Sequence, residues 1–158
     1  MASTPEASSS VIWPPIIYAS AAASAVLLGW INNLSFQSEA TRGLALILGI
    51  VIAALGLLML LLAGRSFTAV GTPIAPTQPT KALVFDGIYN HTRNPMYLGF
   101  TLVLIGLGLI FDELWFIIAA PLAMFAVTKL AIEREEAYLE RKFGAEYLAY
   151  RGRVRRWV

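Results

Sequence analysis

The chain has 158 residues, of which 58% are hydrophobic and 14% are charged, and its formal net charge is +2. A soluble domain of this size needs more polar residues to cover its surface, so the composition indicates a membrane protein. The absence of cysteine excludes disulfides, thiolate nucleophiles and iron–sulfur clusters, and a single histidine excludes a multi-histidine metal site. The small net charge does not favour nucleic-acid binding, so neither a metal nor a nucleic acid is predicted as a partner.

Four apolar segments follow the first ten residues. Those ten, MASTPEASSS, contain no Lys or Arg, unlike the start of a secretory signal peptide, and we predict a disordered tail there. Each apolar segment approaches the roughly 20 residues that a helix needs to cross a bilayer. The segments are residues 11–31, 43–64, 96–111 and 114–131. The sequence therefore predicts an all-α integral membrane protein with about four transmembrane helices.

Small and acidic residues predict how these helices pair. Gly49, Gly56 and Ala63 recur every seven residues, and such a stripe lets a neighbouring helix approach closely. Only Asp112 and Glu113 separate the last two segments, which predicts a tight helical hairpin whose acidic turn lies in water. Pro121 lies inside the fourth segment and should kink it, because proline removes a backbone hydrogen bond.

The basic residues predict the orientation in the membrane. If the helices alternate in direction, all the Lys and Arg residues except Arg42 lie on one side of the bilayer. Because basic loops stay in the cytoplasm, both termini and the 65–95 connection are predicted to be cytoplasmic. The C-terminal RGRVRRWV is predicted to lie against anionic headgroups, with Trp157 at the interface.

The 65–95 connection carries the first polar cluster. Pro73, Pro76 and Pro79 favour an extended, polyproline-like stretch, which KALVF follows as a short strand-like or interfacial piece. Gly87 is predicted to supply a positive φ in a turn. A new helix should start at Asn94–Pro95, with Asn as the cap and Pro in the first position. The free amides of a helix start favour a carboxylate or a phosphate.

The second polar cluster, EREEAYLERKFGAEYLAY, follows the fourth segment. Lys129 can pair with Glu133, but neither Glu135 nor Glu136 has a Lys or Arg three or four residues away. This pair of carboxylates therefore favours an outside partner, either Arg93 or the hydroxyl and ammonium groups of a ligand. The alternative is that both clusters are interfacial anchors with no ligand. Gly144 should end this helix, and a shorter helix should follow.

DGIYNHTRNPMYLG and, after a hairpin, EEAYLERKFGAEYLAYRGRVRR resemble the isoprenylcysteine carboxyl methyltransferase and phospholipid methyltransferase superfamily of integral membrane proteins. The resemblance covers roughly residues 70–156. It implies a methyltransferase core at 65–158 with its hairpin at 95–131. Residues 1–64 match only as generic transmembrane helices, so the tail at 1–10 and the two N-terminal transmembrane helices at 11–64 rest on composition and hydropathy. The family uses S-adenosylmethionine to methylate a lipophilic or small-molecule acceptor, which is a carboxylate, an amine or a thiol.

The resemblance also implies the site, a pocket under the hairpin that the C-terminal helices close. It places cofactor contacts on Lys81, Ala82, Leu83, Val84, Tyr89, Asn94, Pro95, Met96, Tyr97, Glu135 and Glu136. Arg93 and His91 are the predicted catalytic residues. Two positions depart from the family pattern: Asn94 stands where a His is frequent, and Ala131 stands where prenylcysteine enzymes place an Arg associated with the substrate. The sequence therefore predicts an acceptor other than prenylcysteine.

Two other functions are compatible with the same helices. A membrane reductase of the sterol-reductase type, dependent on NADPH, resembles the C-terminal architecture, but such enzymes are usually larger. A lipid-binding scaffold without catalytic activity is the second alternative. Binding of S-adenosylhomocysteine, of NADPH or of neither distinguishes the three, because a ligand of the native state raises the melting temperature.

Overall fold

The computed structural model describes residues 13–74 and 80–158, and in those ranges the chain forms α-helices and no β-strand. The helices are α1 Pro14–Ile31, α2 Glu39–Ala69, α3 Pro95–Phe111, α4 Leu114–Val127, α5 Glu133–Phe143 and α6 Ala145–Arg153. A 3₁₀ turn, Gly87–Asn90, precedes α3, and a π-helical turn, Thr128–Ile132, joins α4 to α5. The all-α prediction is confirmed. The predicted tail, residues 11–12 and two of the three clustered prolines, Pro76 and Pro79, lie outside the described residues.

Three helical stretches are long and apolar enough to cross a bilayer: α1, α2 and the continuous run Leu114–Phe143. The 17 residues of α3 form a shorter apolar helix. The fourth predicted segment was expected to end at residue 131, but the helix continues through the π-helical turn into α5. A π-turn accommodates an extra residue without ending the helix, so the acidic cluster belongs to the same rod as the apolar segment.

Glycines bring α2 and α3 into close contact. A Cβ built on Gly56 would lie 2.6 Å from the carbonyl oxygen of Gly99, and one built on Gly49 would lie 2.9 Å from that of Gly106. Both distances are too short for a real side chain. The predicted small-residue stripe is therefore confirmed, and α3 is its partner.

The hairpin turn between α3 and α4 binds the linker between α1 and α2. Asp112, which has φ 53°, accepts hydrogen bonds from the backbone amides of Phe36 and Gln37, each at 3.0 Å. Glu113 is 6% exposed and accepts from Asn33 Nδ2 at 2.7 Å and from the amide of Leu34 at 3.2 Å. The prediction that this turn lies in water is thus wrong for Glu113, because the neighbouring linker covers it.

The opposite end of the bundle, here called the polar end, contains the last turn of α2, residues 70–74 and 80–94 of the connection, α5, α6 and the C-terminal residues. The predicted connection was expected to begin at residue 65, but α2 continues to Ala69. Gly87 has φ 64° and Gly144 has φ 52°, so both glycines adopt the turn conformation that the sequence predicts at these positions. Residues 80–86 form no strand; instead, Leu83 is buried against α6 in a small cluster with Tyr147 and Tyr150. The segments of the polar end therefore pack against one another at the ends of the apolar helices.

We predict that Gly56→Ala destabilises the protein by about 1–3 kcal/mol, because the new methyl group must push α3 away from α2. The matched control is Gly43→Ala in the same helix, where a Cβ meets no atom within 4 Å. This control should leave stability unchanged or raise it by up to about 1 kcal/mol through helix propensity. Thermal unfolding in detergent measures both, and equal melting temperatures for the two variants would contradict the close packing of α2 on α3.

Candidate functional site

A cavity lies at the polar end between the last turn of α2, the 80–89 segment, the start of α3, and helices α5 and α6. Its lining combines apolar and aromatic side chains with two carboxylates and one guanidinium. The lining residues are Phe67, Pro73, Ile74, Thr80, Ala82, Leu83, Val84, Tyr89, Arg93, Asn94, Met96, Tyr97, Ile132, Glu135, Glu136, Tyr138, Leu139, Tyr147 and Tyr150. The two polar clusters of the sequence therefore meet in one place.

Most of the predicted site residues line this cavity. They are Ala82, Leu83, Val84, Tyr89, Arg93, Asn94, Met96, Tyr97, Glu135 and Glu136. Three predicted residues do not. Lys81 is exposed, and its amide donates to Thr72 Oγ1 at 2.8 Å; Pro95 is buried in the first turn of α3. His91 lies in a separate surface groove beside Arg65 at the end of α2.

The start of α3 differs from the expected capping arrangement. Pro95 occupies the first helical position as predicted, but the Asn94 side chain makes no capping hydrogen bond. Its Nδ2 instead donates to the carbonyl oxygen of Arg156 at 3.0 Å. The prediction of Asn94 as the side-chain cap is therefore wrong, because this amide binds the C-terminal segment.

The two adjacent carboxylates have different partners. Glu135 accepts hydrogen bonds from the Tyr97 hydroxyl, at 2.9 Å to Oε1 and 3.0 Å to Oε2. Glu136 forms salt bridges with Arg93 Nη2 at 3.2 Å and with Arg156 Nη2 at 2.7 Å. The sequence predicted a partner from outside the helix for both carboxylates, and Arg93 was one of the candidates.

Arg93 is only partly satisfied in this arrangement. Its side chain is 11% exposed, and its Nε and Nη1 atoms are buried without a hydrogen-bond partner among the described residues. A buried guanidinium normally pairs most of its five donors, since an unpaired buried donor costs roughly 1–3 kcal/mol. Two free donors on the wall of a cavity indicate a place for an anionic ligand group.

Three tyrosines hold the segment before α3 against α6. The Tyr150 hydroxyl donates to the carbonyl oxygen of Tyr89 at 2.8 Å. Burial raises the pKa of Tyr150 well above its usual value, so its hydroxyl stays protonated and remains a donor. Burial also raises the pKa of Tyr147, and Glu136 adds to that shift while Arg93 opposes it. At neutral pH these phenols are therefore neutral groups in the cavity wall.

Sequence reasoning missed part of the lining. Phe67 and Ile74 come from α2 and the connection, where their side chains show no polar pattern, and Tyr147 and Tyr150 were treated as parts of a motif without a role. Arg156 was predicted to lie against headgroups, but it binds Glu136, and Trp157 packs against the core of the bundle. The sequence predicted neither of these two contacts. The feature of the sequence that indicated a partner for Glu136 elsewhere in the chain was the absence of a Lys or Arg three or four residues away.

The comparison with family models identifies the chain. The model of the phospholipid methyltransferase family matches residues 44–146, which is most of the chain and extends from the first turns of α2 to the start of α6. The chain belongs to the phospholipid methyltransferase family. The matched range contains the cavity residues from Phe67 to Leu139, whereas Tyr147 and Tyr150 of the lining lie just beyond it.

Two relatives share part of the sequence. The chain is 32% identical over 92 residues to a protein-S-isoprenylcysteine O-methyltransferase of Schizosaccharomyces pombe, a match that covers 58% of this chain and 38% of the yeast enzyme. It is 36% identical over 63 residues to an uncharacterized protein of Haemophilus influenzae, which covers 40% of this chain and the whole of that protein. The chain thus spans less than half of the yeast enzyme's length. No solved structure matches.

Proposed function

We propose that this protein is a membrane methyltransferase that uses S-adenosylmethionine to methylate a lipophilic or membrane-partitioned acceptor. The observation that supports it best is the cavity itself, which combines a half-satisfied guanidinium, a carboxylate and an apolar wall at the end of the membrane helices. The family supports the methyl transfer, and the S. pombe relative carries out methylation by its name.

The residues of the cavity fit the polar groups of S-adenosylmethionine. Arg93 offers two unpaired N–H donors, which suit the carboxylate of the cofactor's amino-acid part, and the positive start of α3 adjoins it. Glu135 offers a carboxylate held by Tyr97, which suits ribose hydroxyls or the ammonium group. Tyr89 adds an aromatic surface for the adenine ring.

When bound, the cofactor supplies an electrophilic methyl group on a sulfonium sulfur, which an acceptor atom attacks in line. The protein would contribute positioning and a site from which water is excluded. A neutral amine takes over the positive charge from sulfur as the new bond to carbon forms and then releases a proton to solvent, whereas a thiol releases its proton to solvent and attacks as the thiolate. Met96, Ile74 and Leu139 form apolar parts of the wall and exclude water there. Because His91 lies outside the cavity, the proposed mechanism gives it no part.

The charges of the cavity restrict the acceptor. Arg93 is the one cation among the described lining residues, and the proposal assigns it to the cofactor. Ala131 is fully buried in the core with Tyr18 and Ala25, and Arg134 is exposed and does not line the cavity. A carboxylate acceptor would therefore enter without a cation of its own, which is costly in a dry site. We propose an acceptor that enters the site uncharged, either an amine as its free base or a thiol that keeps its proton until it reacts.

The orientation in the membrane completes the proposal. The cavity lies at the same end as the 65–95 connection and the C-terminal helices, which contain nearly all the basic residues. By the positive-inside rule we place this end, the cavity and both termini in the cytoplasm. The cofactor would then reach the site from the cytoplasm, while the acceptor reaches it from the membrane.

We predict that Glu135→Gln weakens the binding of S-adenosylhomocysteine tenfold or more, since a charge-assisted hydrogen bond to a ligand contributes roughly 1.5–3 kcal/mol. The matched control is Glu133→Gln, because Glu133 is exposed, pairs with Lys129 at 2.5 Å and does not line the cavity. Calorimetry on the detergent-solubilised protein measures both affinities. Unchanged binding by the Glu135 variant would remove this residue from the site.

For the acceptor, we predict that a farnesylcysteine analogue is methylated poorly or not at all, whereas an amine or thiol acceptor from a panel of lipids is turned over. The reason is the missing cation at Ala131. Transfer of label from radioactive S-adenosylmethionine measures turnover of each compound. Rapid methylation of the farnesylcysteine analogue, lost in Arg134→Ala, would show that Arg134 replaces the missing Arg and that the proposed acceptor class is wrong.

Cysteine labelling tests the orientation, because the chain has no native cysteine. Phe36 is 44% exposed at the hairpin end, and Gly152 lies in α6 with no atom within 4 Å of a built Cβ. In intact cells an impermeant maleimide should modify Phe36→Cys and leave Gly152→Cys unmodified until the membrane is opened. The reverse result would overturn the proposed topology.

A further inference from the structure

The C-terminal segment contributes a side chain to the charged cluster of the site. Arg156 lies beyond the region that the family model matches, and it binds Glu136 through two parallel contacts, Nε to Oε1 at 3.1 Å and Nη2 to Oε2 at 2.7 Å. Arg93 contacts the same carboxylate only through Nη2, at 3.2 Å. Glu136 thus binds Arg156 in bidentate geometry, and it binds Arg93 through a single, longer contact.

The charges in this cluster do not cancel. Two guanidinium groups face one carboxylate, so Arg93, Glu136 and Arg156 together carry one net positive charge. Glu135 adds a further carboxylate beside this cluster, and the neutral Tyr97 hydroxyl donates to it without neutralising it. Of the two arginines, Arg93 is the one whose Nε and Nη1 are buried without a partner among the described residues.

The backbone of the same segment fixes Arg93 in place. The amide of Arg93 donates to the carbonyl oxygen of Arg155 at 3.0 Å. Thr92 Oγ1 and Asn94 Nδ2 both donate to the carbonyl oxygen of Arg156, at 3.1 and 3.0 Å. The residues on both sides of Arg93 are therefore bound to the C-terminal segment, and the guanidinium projects from a fixed backbone.

We infer that Arg156 is a positioning residue that keeps Arg93 available for the carboxylate of S-adenosylmethionine by occupying Glu136. This inference rests on the proposed function, and it adds a role for a residue that contacts no part of the ligand. Without Arg156, both oxygens of Glu136 would be free to bind Arg93 in the bidentate geometry that carboxylates and guanidinium groups favour. The cation would then be neutralised by the protein itself.

The test compares two ligands that differ in the amino-acid part. S-adenosylhomocysteine carries its carboxylate and ammonium groups, and 5′-methylthioadenosine keeps the nucleoside and sulfur but lacks both groups. We expect Arg156→Gln to weaken the binding of S-adenosylhomocysteine tenfold or more. The affinity for 5′-methylthioadenosine should stay within threefold of the wild-type value. Arg155→Ala is the matched control, because Arg155 is exposed and contributes its carbonyl oxygen to the contact with Arg93. It should change neither affinity.

A second substitution separates charge from structure. In the double variant Glu136→Gln with Arg156→Gln, the carboxylate that would pair with Arg93 is removed, so S-adenosylhomocysteine should bind at least threefold more tightly than it binds Arg156→Gln. If Arg156 only anchored the C-terminal segment, the double variant would bind both ligands as weakly as the single variant or more weakly. Such a result, or an equal loss of both ligands in Arg156→Gln, overturns the inference.

Two checks complete the design. Thermal unfolding shows whether each variant is folded. If Arg156→Gln does not fold, Arg156→Lys takes its place, because it keeps the charge but loses the bidentate contact. Arg156→Lys should weaken the binding of S-adenosylhomocysteine by threefold or more and leave the binding of 5′-methylthioadenosine unchanged. An unchanged affinity in that variant also overturns the inference.

A wild-type protein that binds neither nucleoside overturns the proposed function as well, and this is measured before any variant is compared.

Discussion

The carboxylate of Glu136, shared by two guanidinium groups, is the interaction on which the polar end depends. It connects three parts of the chain that are far apart in sequence. These are α5, which carries Glu136, the segment before α3, which carries Arg93, and the segment after α6, which carries Arg156. Removal of one partner would leave a buried charge uncompensated at a cost of about 3–5 kcal/mol, so this contact fixes how the three parts meet. The cavity lies beside it, and α2, residues 80–89 and α6 complete the lining.

The polar side chains at the two ends of the bundle differ in how many of their hydrogen-bonding atoms have a partner. At the hairpin end, Asp112 and Glu113 accept hydrogen bonds from backbone amides and from an Asn of the neighbouring linker. At the polar end, Arg93 retains two buried donors without a partner among the described residues. Satisfied groups stabilise a turn, whereas unsatisfied donors beside a cavity cost stability that a ligand can restore. This contrast supports the polar end as the candidate site.

Helix α3 connects the rigid part of the protein with the site. Its glycines at 99 and 106 pack against α2 without space for a side chain, and its first turn carries Met96 and Tyr97 in the cavity wall. The Tyr97 hydroxyl then holds Glu135 on α5. Because α3 is held by backbone contact along its length, the groups at its start have little freedom, and the carboxylate of Glu135 is fixed through them.

Local chemistry in the sequence determined the elements. Apolar length predicted the helices, Gly49 and Gly56 predicted a close helix contact, Gly87 and Gly144 predicted turns, and unpaired Glu136 predicted a partner outside its helix. Only the tertiary structure decided which partner each group takes, because Asn94 can cap or bind elsewhere, and Arg156 can face headgroups or a carboxylate. Those choices depend on which chain segments come close in space. The apolar lining from Phe67 and Ile74 was likewise set by packing, since a cavity wall and a lipid-facing surface use the same side chains.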